Sequence, residues 1–393
     1  MLETLRPLKP ASPEEVQAIV AEAGAAARRI EVTGAGTKRG IGALEPVDVV
    51  LSTQRLDRIV DYAPDELVLT AQPGVRVADL ERIVAARGQM LAFEPPRWTR
   101  LLGARGEPTL GGVVAANLSG PRRLRAGAAR DHLLGFSGVS GRGEAFKAGG
   151  KVVKNVTGYD LMKLMAGSWG TLAVFTELTV KVLPAPRTEA TLLLFGLHDV
   201  RAFEAMQAAM NGPFEVSGAA HLPVTTARAR PLKAEMAVTA LRLEGFEASV
   251  AARADDLAQM LAGALAGFGR TDRLDAGHSR DFWLQVREAE ALAGDPRPLW
   301  RLSLPPAVGW RAPHALPGEA LYDWAGGLAW LATEEPAARV RAVARELGGH
   351  ALCLKGDEAF GPREGPLGAL QDRVKAAFDP LGVLNPGRME GRP

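Results

Sequence analysis

A segment with spaced glycines that leads directly into a long strand constrains this chain most. Residues 155–176 carry glycines at positions 158, 167 and 170 and continue as an alternating apolar strand. Glycine has no Cβ, so the main chain at such positions can approach a bulky planar or anionic ligand closely. Two upstream clusters, Gly34-Ala-Gly-Thr-Lys38 and Pro108-Thr-Leu-Gly-Gly112, have the same character. Together the three segments predict a ligand that lies against the backbone.

Strands and helices alternate from about residue 12 to residue 93. Ser12, Pro13 and Glu15 predict the start of a helix, because Ser12 can cap it and Glu15 completes a capping box. Further predicted elements in this part are strands at 30–32, 49–51 and 67–72 and a helix at 77–87. This alternation predicts mixed α and β layers and therefore an α+β fold.

A second unit follows Pro184 and Pro186, which end a long strand predicted at 171–183. Residues 189–265 predict the order β-α-β-β-α, which is compatible with a ferredoxin-like layer. Other predicted elements are strands at 214–221, 299–304 and around residue 328, and helices at 339–347 and 368–378. The two prolines therefore mark a predicted domain boundary.

The composition excludes several classes of protein. With 393 residues the chain is long enough for two or three domains, and its net charge of +2 gives no general argument for nucleic-acid binding. Cys353 is the only cysteine, so neither an internal disulfide nor a cysteine-held iron–sulfur cluster can form. The six histidines have no ligand-like spacing, and no metal site is predicted. Without an N-terminal apolar stretch or a run of about 18 apolar residues, we expect cytoplasmic residence.

Several local motifs keep two interpretations. The loop Gly34-Ala-Gly-Thr-Lys38 has neither the Rossmann nor the Walker spacing; it could hold a diphosphate on its N–H groups or be a tight turn. Asp160 could act at a site or cap the helix that runs to Met165. Trp98 could cover a ligand or only pack. A basic cluster, for which a solvated or partner-facing loop is favoured over phosphate contact, consists of Arg122, Arg123, Arg125 and Arg130.

Five motifs stand in the order found in a known family. They are Gly34-Ala-Gly-Thr-Lys38, Gln72-Pro-Gly-Val75, Thr109-Leu-Gly-Gly112, the glycine-spaced segment from Gly158 to Thr176, and Asp379-Pro-x-Gly-x-Leu-Asn-Pro-Gly387. In this order they resemble flavin oxidoreductases of the vanillyl-alcohol-oxidase type, over about residues 1–185 and the C-terminal tail. Three further stretches, at 93–96, 117–122 and 154–160, resemble the smaller FAD-binding subunits of bacterial glycolate oxidase (glycolate dehydrogenase).

The resemblance implies FAD bound by a PCMH-type domain of two α+β subdomains, at residues 1–57 and 58–185. A ferredoxin-like cap would occupy residues 186–350, and residues 351–393 would return to the FAD domain. The residues that would contact the cofactor are Gly34, Ala35, Gly36, Thr37, Lys38, Pro73, Gly74, Thr109, Leu110, Gly111, Gly112, Asn117, Gly120, Gly158, Gly167, Gly170, Thr171 and Val174.

The same resemblance implies a subunit of a multi-subunit glycolate oxidase, with a larger flavin subunit and an iron–sulfur subunit as partners. Glycolate would be oxidised to glyoxylate, the hydride would go to the flavin, and the electrons would pass to the iron–sulfur subunit. Attachment to the inner face of the plasma membrane would come through the complex. Two alternatives stay open: a stand-alone FAD-dependent dehydrogenase of D-2-hydroxy acids such as lactate, and a flavin-holding structural subunit without its own turnover.

Two absences from the sequence refine these expectations. No His lies at 34–42 or 93–131, and Cys353 is far along the chain, so FAD is predicted to be non-covalent. The His-Gly-Asp-Gly-Asn-x-His motif of larger relatives that oxidise D-2-hydroxy acids, which contributes there to a metal and substrate site, is missing. No catalytic base can be assigned from the residues.

Overall fold

The computed structural model describes residues 5–43, 45–150, 159–228, 233–264, 270–356 and 358–391. Its helices and strands form an α+β fold, as predicted. The strands are β1 (Ile30–Thr33), β2 (Val49–Ser52), β3 (Ile59–Ala63), β4 (Val68–Ala71), β5 (Gln89–Met90), β6 (Leu133–Ser140), β7 (Ala145–Gly149), β8 (Ala173–Lys181), β9 (Leu183–Pro184), β10 (Thr188–Phe195), β11 (Gly218–Leu222), β12 (Val238–Gly245), β13 (Arg270–Leu274), β14 (Leu299–Ser303), β15 (Glu319–Asp323), β16 (Leu328–Ala332) and β17 (His350–Lys355).

The helices alternate with these strands along the chain. The α-helices are α1 (Pro13–Ala25), α2 (Val77–Ala85), α3 (Leu110–Ala115), α4 (Arg123–Ala126), α5 (Ala129–His132), α6 (Leu161–Met165), α7 (Asp199–Asn211), α8 (Val224–Ala227), α9 (Glu247–Ala264), α10 (Ala276–Arg287), α11 (Arg311–Ala315), α12 (Ala337–Glu346) and α13 (Gly365–Phe378). Single 3₁₀ turns lie at Thr53–Arg55, Pro64–Glu66, Glu290–Leu292, Pro306–Val308 and Trp324–Gly326. None of the helices described is both long enough and apolar enough to cross a membrane.

Local signals explain where several helices begin. At α1, the Ser12 hydroxyl accepts a hydrogen bond from the N–H of Glu15 at 3.2 Å, which confirms the predicted cap. At α6, the carboxylate of Asp160 accepts from the N–H of Lys163 at 3.3 Å. Of the two interpretations of Asp160, the helix cap is therefore the one that the structure supports.

Several strands differ from the predictions; β13, β15 and β17, for example, were not predicted. Strand β3 was not predicted, because its residues are mostly half-buried and do not alternate between apolar and polar. Strand β11 begins at Gly218 rather than at residue 214. The reason is Glu215, whose φ of 52° is left-handed and cannot continue an extended strand.

The first part of the chain is organised around a five-stranded antiparallel sheet in the order β3-β4-β8-β6-β7. Successive side chains of a strand point to opposite faces, and β8, at the centre, contributes to a core on each side. Val174 packs with residues of α1, β1 and β2, where β1 and β2 pair in parallel. Phe175 packs on the other face, in a larger core that includes residues of α2 and α3. The loop after β1 and the start of α3 are thereby held close together.

The second sheet has eight antiparallel strands in the order β13-β10-β12-β11-β15-β16-β14-β17. Numbered within the first half, the strands run 4-1-3-2, the order of a ferredoxin-like unit with helices α7 and α9. The second half, β14 to β17 with α11 and α12, repeats the same order. The two halves meet at β11 and β15, where His221 lies opposite Tyr322. The sequence predicted only the first of these two units.

The two faces of the eight-stranded sheet pack against different partners. Helices α7, α9 and α12 cover one face with residues such as Leu257 and Val340. The other face joins the large core of the first part of the chain. There the ring of Trp98 meets the ring of Trp330 edge to face, with 5.4 Å between centroids. The proposed domain boundaries near residues 57, 185 and 350 stay predictions.

The C-terminal segment returns to the first strand. The N–H of Ile30 donates to the carbonyl of Val383 at 2.7 Å, and the N–H of Asn385 donates to the carbonyl of Ile30 at 2.9 Å. Leu384 thus pairs with β1 in parallel. The turn before it is fixed by Asp379, whose carboxylate accepts from the N–H groups of Val383 and Leu384 at 2.9 and 2.8 Å.

Candidate cofactor site

A cleft opens between the loop that follows β1 and the start of α3. Its empty volume, including the part open to solvent, is about 740 Å³. Residues 34–38 form one wall, Pro73 and Thr109 contribute to a second, and Trp169 and Gly170 contribute to a third. Each of the three glycine segments noted in the sequence therefore contributes residues to one cleft.

The loop at residues 34–38 presents free main-chain donors. The N–H groups of Ala35, Gly36, Thr37 and Lys38 donate to no acceptor within the described part of the chain. Gly36 has a φ of 75°, in the left-handed region that favours glycine. Successive N–H groups around such a residue form a concave anion-binding turn. These donors suit the phosphates of a dinucleotide.

The narrow width of the cleft depends on small residues. A Cβ on Gly34 would stand 2.3 Å from the hydroxyl oxygen of Thr109, which caps α3 by accepting from the N–H of Gly112 at 3.4 Å. A Cβ on Gly111 would stand 2.6 Å from the Cβ of Pro73. Larger side chains at 34 and 111 would therefore push the two walls apart.

Lys38 is a half-buried cation in the wall of the cleft. Its Nζ donates to the carbonyl of Arg97 at 3.0 Å and to the hydroxyl of Thr37 at 3.3 Å, and it lies 5.9 Å from the centroid of the Trp98 ring. No carboxylate of the described residues lies within 4.0 Å of this nitrogen. Burial lowers the pKa of Lys38 to about 8, against the opposing charge of Glu288. A bound anion would supply a counter-charge.

Arg388 brings a second cation, a guanidinium, to the cleft. It is 5% exposed, and its Nη1 donates to the carbonyl of Ile41 at 2.8 Å. Its Nε is buried and meets no acceptor among the residues described. Burial lowers the pKa of Arg388, while the charge of Glu31 opposes that effect. Glu31 itself pairs with Arg39, a further basic residue of the lining.

The rest of the lining is mainly apolar and includes Ala115, Phe175 and Trp169. Trp169 has a φ of 53°, a conformation that costs a bulky residue about 1–2 kcal/mol. Two hydrogen bonds hold it there: its N–H donates to the carbonyl of Ala115 at 2.8 Å, and its carbonyl accepts from the side chain of Asn385 at 2.8 Å. Apolar surface beside phosphate-binding donors fits a cofactor with a flat ring system and a diphosphate.

The structure brings most of the predicted contact residues together. Those that line the cleft are Gly34, Ala35, Gly36, Thr37, Lys38, Pro73, Thr109, Gly111, Gly112 and Gly170. Leu110 and Thr171 each adjoin a lining residue in the sequence but do not themselves line the cleft. Gly158 lies outside the described residues. Contact of each of these residues with a cofactor stays a prediction.

Five more predicted residues do not line the cleft, although Gly74, Asn117 and Val174 adjoin lining residues in the sequence. Contacts within the protein account for Gly74 and Gly120. A Cβ on Gly74 would stand 2.3 Å from the carbonyl oxygen of Thr53, and a Cβ on Gly120 would stand 2.7 Å from that of Glu94. The other three are Asn117, Gly167 and Val174. Val174 points into the core beside α1.

Sequence reasoning missed part of the lining. Arg39, Thr53, Trp169, Phe175 and Arg388 all face the cleft. A signal existed for Arg388, because it directly follows the C-terminal motif that ends at Gly387. Phe175 and Trp169 lie within the glycine-spaced segment, but the sequence assigned Phe175 only to a strand and gave Trp169 no role.

The solvated-loop interpretation is wrong for Arg122. Its side chain is 15% exposed and binds the carboxylates of Glu94 and Glu244. Arg242, which is 1% exposed, donates to both oxygens of Glu94 at 3.0 and 3.1 Å. Burial alone would raise the pKa of Glu94, but the charges of Arg242 and Arg122 lower it to about 2. This buried network ties the loop after β5 to strand β12 of the second sheet.

The described lining of the cleft offers binding groups but no carboxylate, phenol or imidazole that could act as a base. Among the residues described, the lining includes no His, Tyr, Asp or Glu. Nor do the described residues contain a cluster of His, Cys, Asp and Glu side chains that could hold a metal ion. The walls can therefore bind and orient a dinucleotide, but the described lining provides no His, Tyr, Asp or Glu to remove a substrate proton.

Comparisons with known proteins agree with this geometry. Residues 7–149 match a family described as an FAD binding domain. The chain is 38% identical over 337 residues to the glycolate oxidase subunit GlcE of Escherichia coli (strain K12), and the match covers 84% of each chain. It is 34% identical over 177 residues to the glycolate oxidase subunit GlcD of Bacillus subtilis (strain 168), covering 45% of this chain and 35% of that one.

A solved structure supports the architecture. An alkyldihydroxyacetonephosphate synthase matches 98% of this chain and 76% of its own, with a TM-score of 0.68 and 16% sequence identity. At that identity the likeness concerns the fold alone. It extends over both sheets, because nearly the whole chain is covered.

Proposed function

Because the chain belongs to the family of the glycolate oxidase subunit GlcE, we propose that it is the FAD-binding subunit of a multi-subunit glycolate oxidase. The chain is a flavoprotein oxidoreductase subunit with a PCMH-type FAD-binding domain. The observation that carries the proposal is the match of 38% identity over 84% of both chains. The proposed overall reaction is the oxidation of glycolate to glyoxylate.

The residues of the cleft have distinct proposed roles. The N–H groups of residues 35–38, with Lys38 and Arg388, bind the diphosphate of FAD by charge-assisted hydrogen bonds. The apolar wall around Phe175 and Trp169 excludes water beside the rest of the cofactor. When bound, FAD supplies the hydride acceptor for the α-carbon of glycolate. We further propose that FAD is non-covalent, since no His or Cys lines the cleft in the described part of the chain.

The proposed complex would supply two groups: a base, which the described cleft walls do not provide, and an iron–sulfur cluster. A base is needed for the hydroxyl proton of a hydroxy acid, and we place it outside the described cleft walls, in a larger flavin subunit. The one cysteine of the sequence cannot hold an iron–sulfur cluster, so an iron–sulfur subunit would take the electrons onward. We propose a cytoplasmic complex, with any membrane association made through the partners.

The test is anaerobic reduction of the flavin. The purified, FAD-loaded chain is titrated with glycolate, alone and after assembly with the two candidate partner chains. We expect the oxidised flavin absorbance to bleach in the complex. Full flavin occupancy without bleaching in the assembled complex would exclude the proposed reaction. Acid precipitation of the same sample should leave the yellow chromophore in the supernatant if FAD is non-covalent.

A second candidate function is a flavin-holding structural subunit without its own turnover. The lack of a base in the described lining favours it. In that case glycolate would reduce the flavin of the partner subunit but not the FAD of this chain, even in the complex. A variant that cannot bind FAD would then keep the turnover of the complex, whereas the leading proposal expects turnover to fall.

A further inference from the structure

Two guanidinium groups meet at one indole ring on the interface between the two parts of the molecule. The central carbon of Arg123 lies 4.3 Å from the centroid of the Trp324 ring, and that of Arg301 lies 4.8 Å from it. The two carbon atoms are therefore no more than about 9 Å apart, the sum of those distances. Arg123 belongs to α4, whereas Arg301 and Trp324 belong to the eight-stranded sheet side. Both arginines are half-buried.

No described residue accepts a hydrogen bond from either guanidinium, and no described carboxylate lies within 4.0 Å of either one. The Nε of Arg301 is buried and unpartnered. Burial and the nearby charge of Arg123 lower the pKa of Arg301 to about 10, against the opposing charge of Asp323. Leaving a buried charged donor without a partner is costly. A ligand that restores the missing acceptors would remove that cost.

Neighbouring arginines show how different this pair is. Arg122, next in sequence to Arg123, binds two carboxylates, and Arg242 binds both oxygens of Glu94. Trp324 is fixed in place, because its indole N–H donates to the carbonyl of Gly120 at 3.0 Å. The unpaired arginines thus lie on a rigid ring beside a fully paired network.

We propose that Arg123 and Arg301, held against Trp324, form a binding site for a small carboxylate anion. A guanidinium presents two parallel N–H donors that match the two oxygens of a carboxylate. The indole ring orients the two guanidinium groups by cation–π contact and accepts no hydrogen bond from them. The proposal goes beyond the proposed function, because the oxidation of glycolate does not require this site.

The adjacent carboxyl favours a singly charged ligand. Asp323 precedes Trp324 and accepts from its N–H at 2.7 Å. Burial raises the pKa of Asp323 to about 7, so this carboxyl carries a partial negative charge near neutral pH. This carboxyl would therefore repel a phosphate dianion more strongly than a carboxylate monoanion.

The test is calorimetric titration of the FAD-loaded full-length chain with acetate, glycolate and inorganic phosphate. We expect saturable binding of one carboxylate per chain. Arg301→Gln should weaken that binding by about 10-fold or more, the effect of losing a charged hydrogen bond of about 1.5–3 kcal/mol. The matched control is Arg125→Gln, because Arg125 is exposed and already pairs with Glu215. The control should bind as the wild type does.

A second variant guards against loss of folding. Arg123→Gln changes a residue on the short helix α4 and should weaken carboxylate binding in the same way, while flavin content and the melting temperature stay normal. Glycolate that competes with acetate would identify a hydroxy acid as the ligand, and acetate binding without such competition would identify an unsubstituted monocarboxylate; both support the site. No saturable carboxylate binding, equal binding by both variants, or binding of phosphate alone would overturn it. Flavin reduction is not the readout, so this test can fail or succeed independently of the proposed function.

Discussion

The side-chain carbonyl of Asn385 accepts a hydrogen bond from the backbone N–H of Val32 at 2.8 Å. The amide nitrogen of the same side chain donates to the carbonyl of Trp169 at 2.8 Å. Val32 and Trp169 both line the cleft. One amide near the C-terminus therefore fixes the distance between two walls that lie far apart in the sequence.

Replacing Asn385 by Ala should loosen this arrangement. The variant loses both bonds, and Ala is less tolerant than Asn of the φ of 42° found here. We expect about 2–4 kcal/mol less stability in urea unfolding and a weaker hold on FAD. Asn211→Ala, at the exposed end of α7, is the control and should change stability by no more than about 0.5 kcal/mol. Equal effects of the two substitutions would contradict the bridging role.

Gly34→Ala should reduce FAD binding with little effect on the rest of the fold. Its Cβ would stand 2.3 Å from the Thr109 hydroxyl, so one wall of the cleft must move. Gly40→Ala is a matched control, because nothing lies within 4 Å of a Cβ there. The measurement is flavin content per chain after reconstitution. Unchanged flavin content in Gly34→Ala would show that the cofactor does not need the close approach of these walls.

Lys38→Met should weaken FAD binding by about 10- to 100-fold, the effect of removing a charged hydrogen bond of about 1.5–3 kcal/mol. The cofactor-free chain should keep or gain stability, because a half-buried cation without a carboxylate partner is removed. Fluorescence titration with FAD and thermal melts of the cofactor-free form give the two numbers. Lys163→Met, at a surface pair with Asp160, serves as the control. A loss of stability with unchanged FAD affinity would assign Lys38 to structure alone.

The pKa of Lys38 predicts a pH dependence. It is about 8 in the folded chain against an ordinary value of 10.5. Between these values the unfolded chain binds more protons, so the stability of the cofactor-free chain should rise with pH across that interval. FAD affinity should fall over the same interval, because the ammonium that contacts the diphosphate is lost. In Lys38→Arg, whose cation does not titrate there, the affinity should stay level; a parallel fall in both proteins would refute the assignment.

Glu94→Gln should destabilise the protein by about 3–5 kcal/mol, since it leaves buried Arg122 and Arg242 short of one negative charge. The pKa of Glu94 is about 2, below its ordinary 4.5. Its contribution is therefore complete above pH 4.5 and lost as the pH falls toward 2. Urea unfolding of wild type and variant should converge over that range. Glu215→Gln removes an exposed carboxylate, and a comparable loss of stability there would argue against a special role for the buried network.

The parts of the site that depend on residues close in sequence could be predicted, whereas the parts that depend on distant residues could not. The loop at residues 34–38 could be predicted, because its function depends on local glycines and their N–H groups. Arg388 was missed although it directly follows the C-terminal motif, since nothing local shows that it returns to Ile41. The environment of Arg122 was predicted wrongly for the same reason, because its partner Glu244 lies far along the chain, on a strand of the second sheet. A cluster of arginines in the sequence carries no sign of whether distant carboxylates neutralise it.

The fold was predicted best where caps and alternation act over a few residues, as at Ser12 and Asp160. The repeat of the ferredoxin-like order in the second sheet left no visible sequence repeat, because strand order is set by contacts rather than by shared residue types. The strand pairing of His221 with Tyr322, which joins the two halves of the sheet, likewise leaves no local signal in the sequence.

Asn385 returns to strand β1 and Arg388 to the carbonyl of Ile41, which has a consequence for biosynthesis. Ribosomes add roughly 5–20 residues per second, so the tail emerges about 20–70 s after the glycine loop it completes. Until then the nascent polypeptide has an unfinished flavin pocket, and cofactor loading must wait for the last stage of translation. A stalled or prematurely terminated chain would contain the loop at residues 34–38 but would stay colourless, without bound FAD.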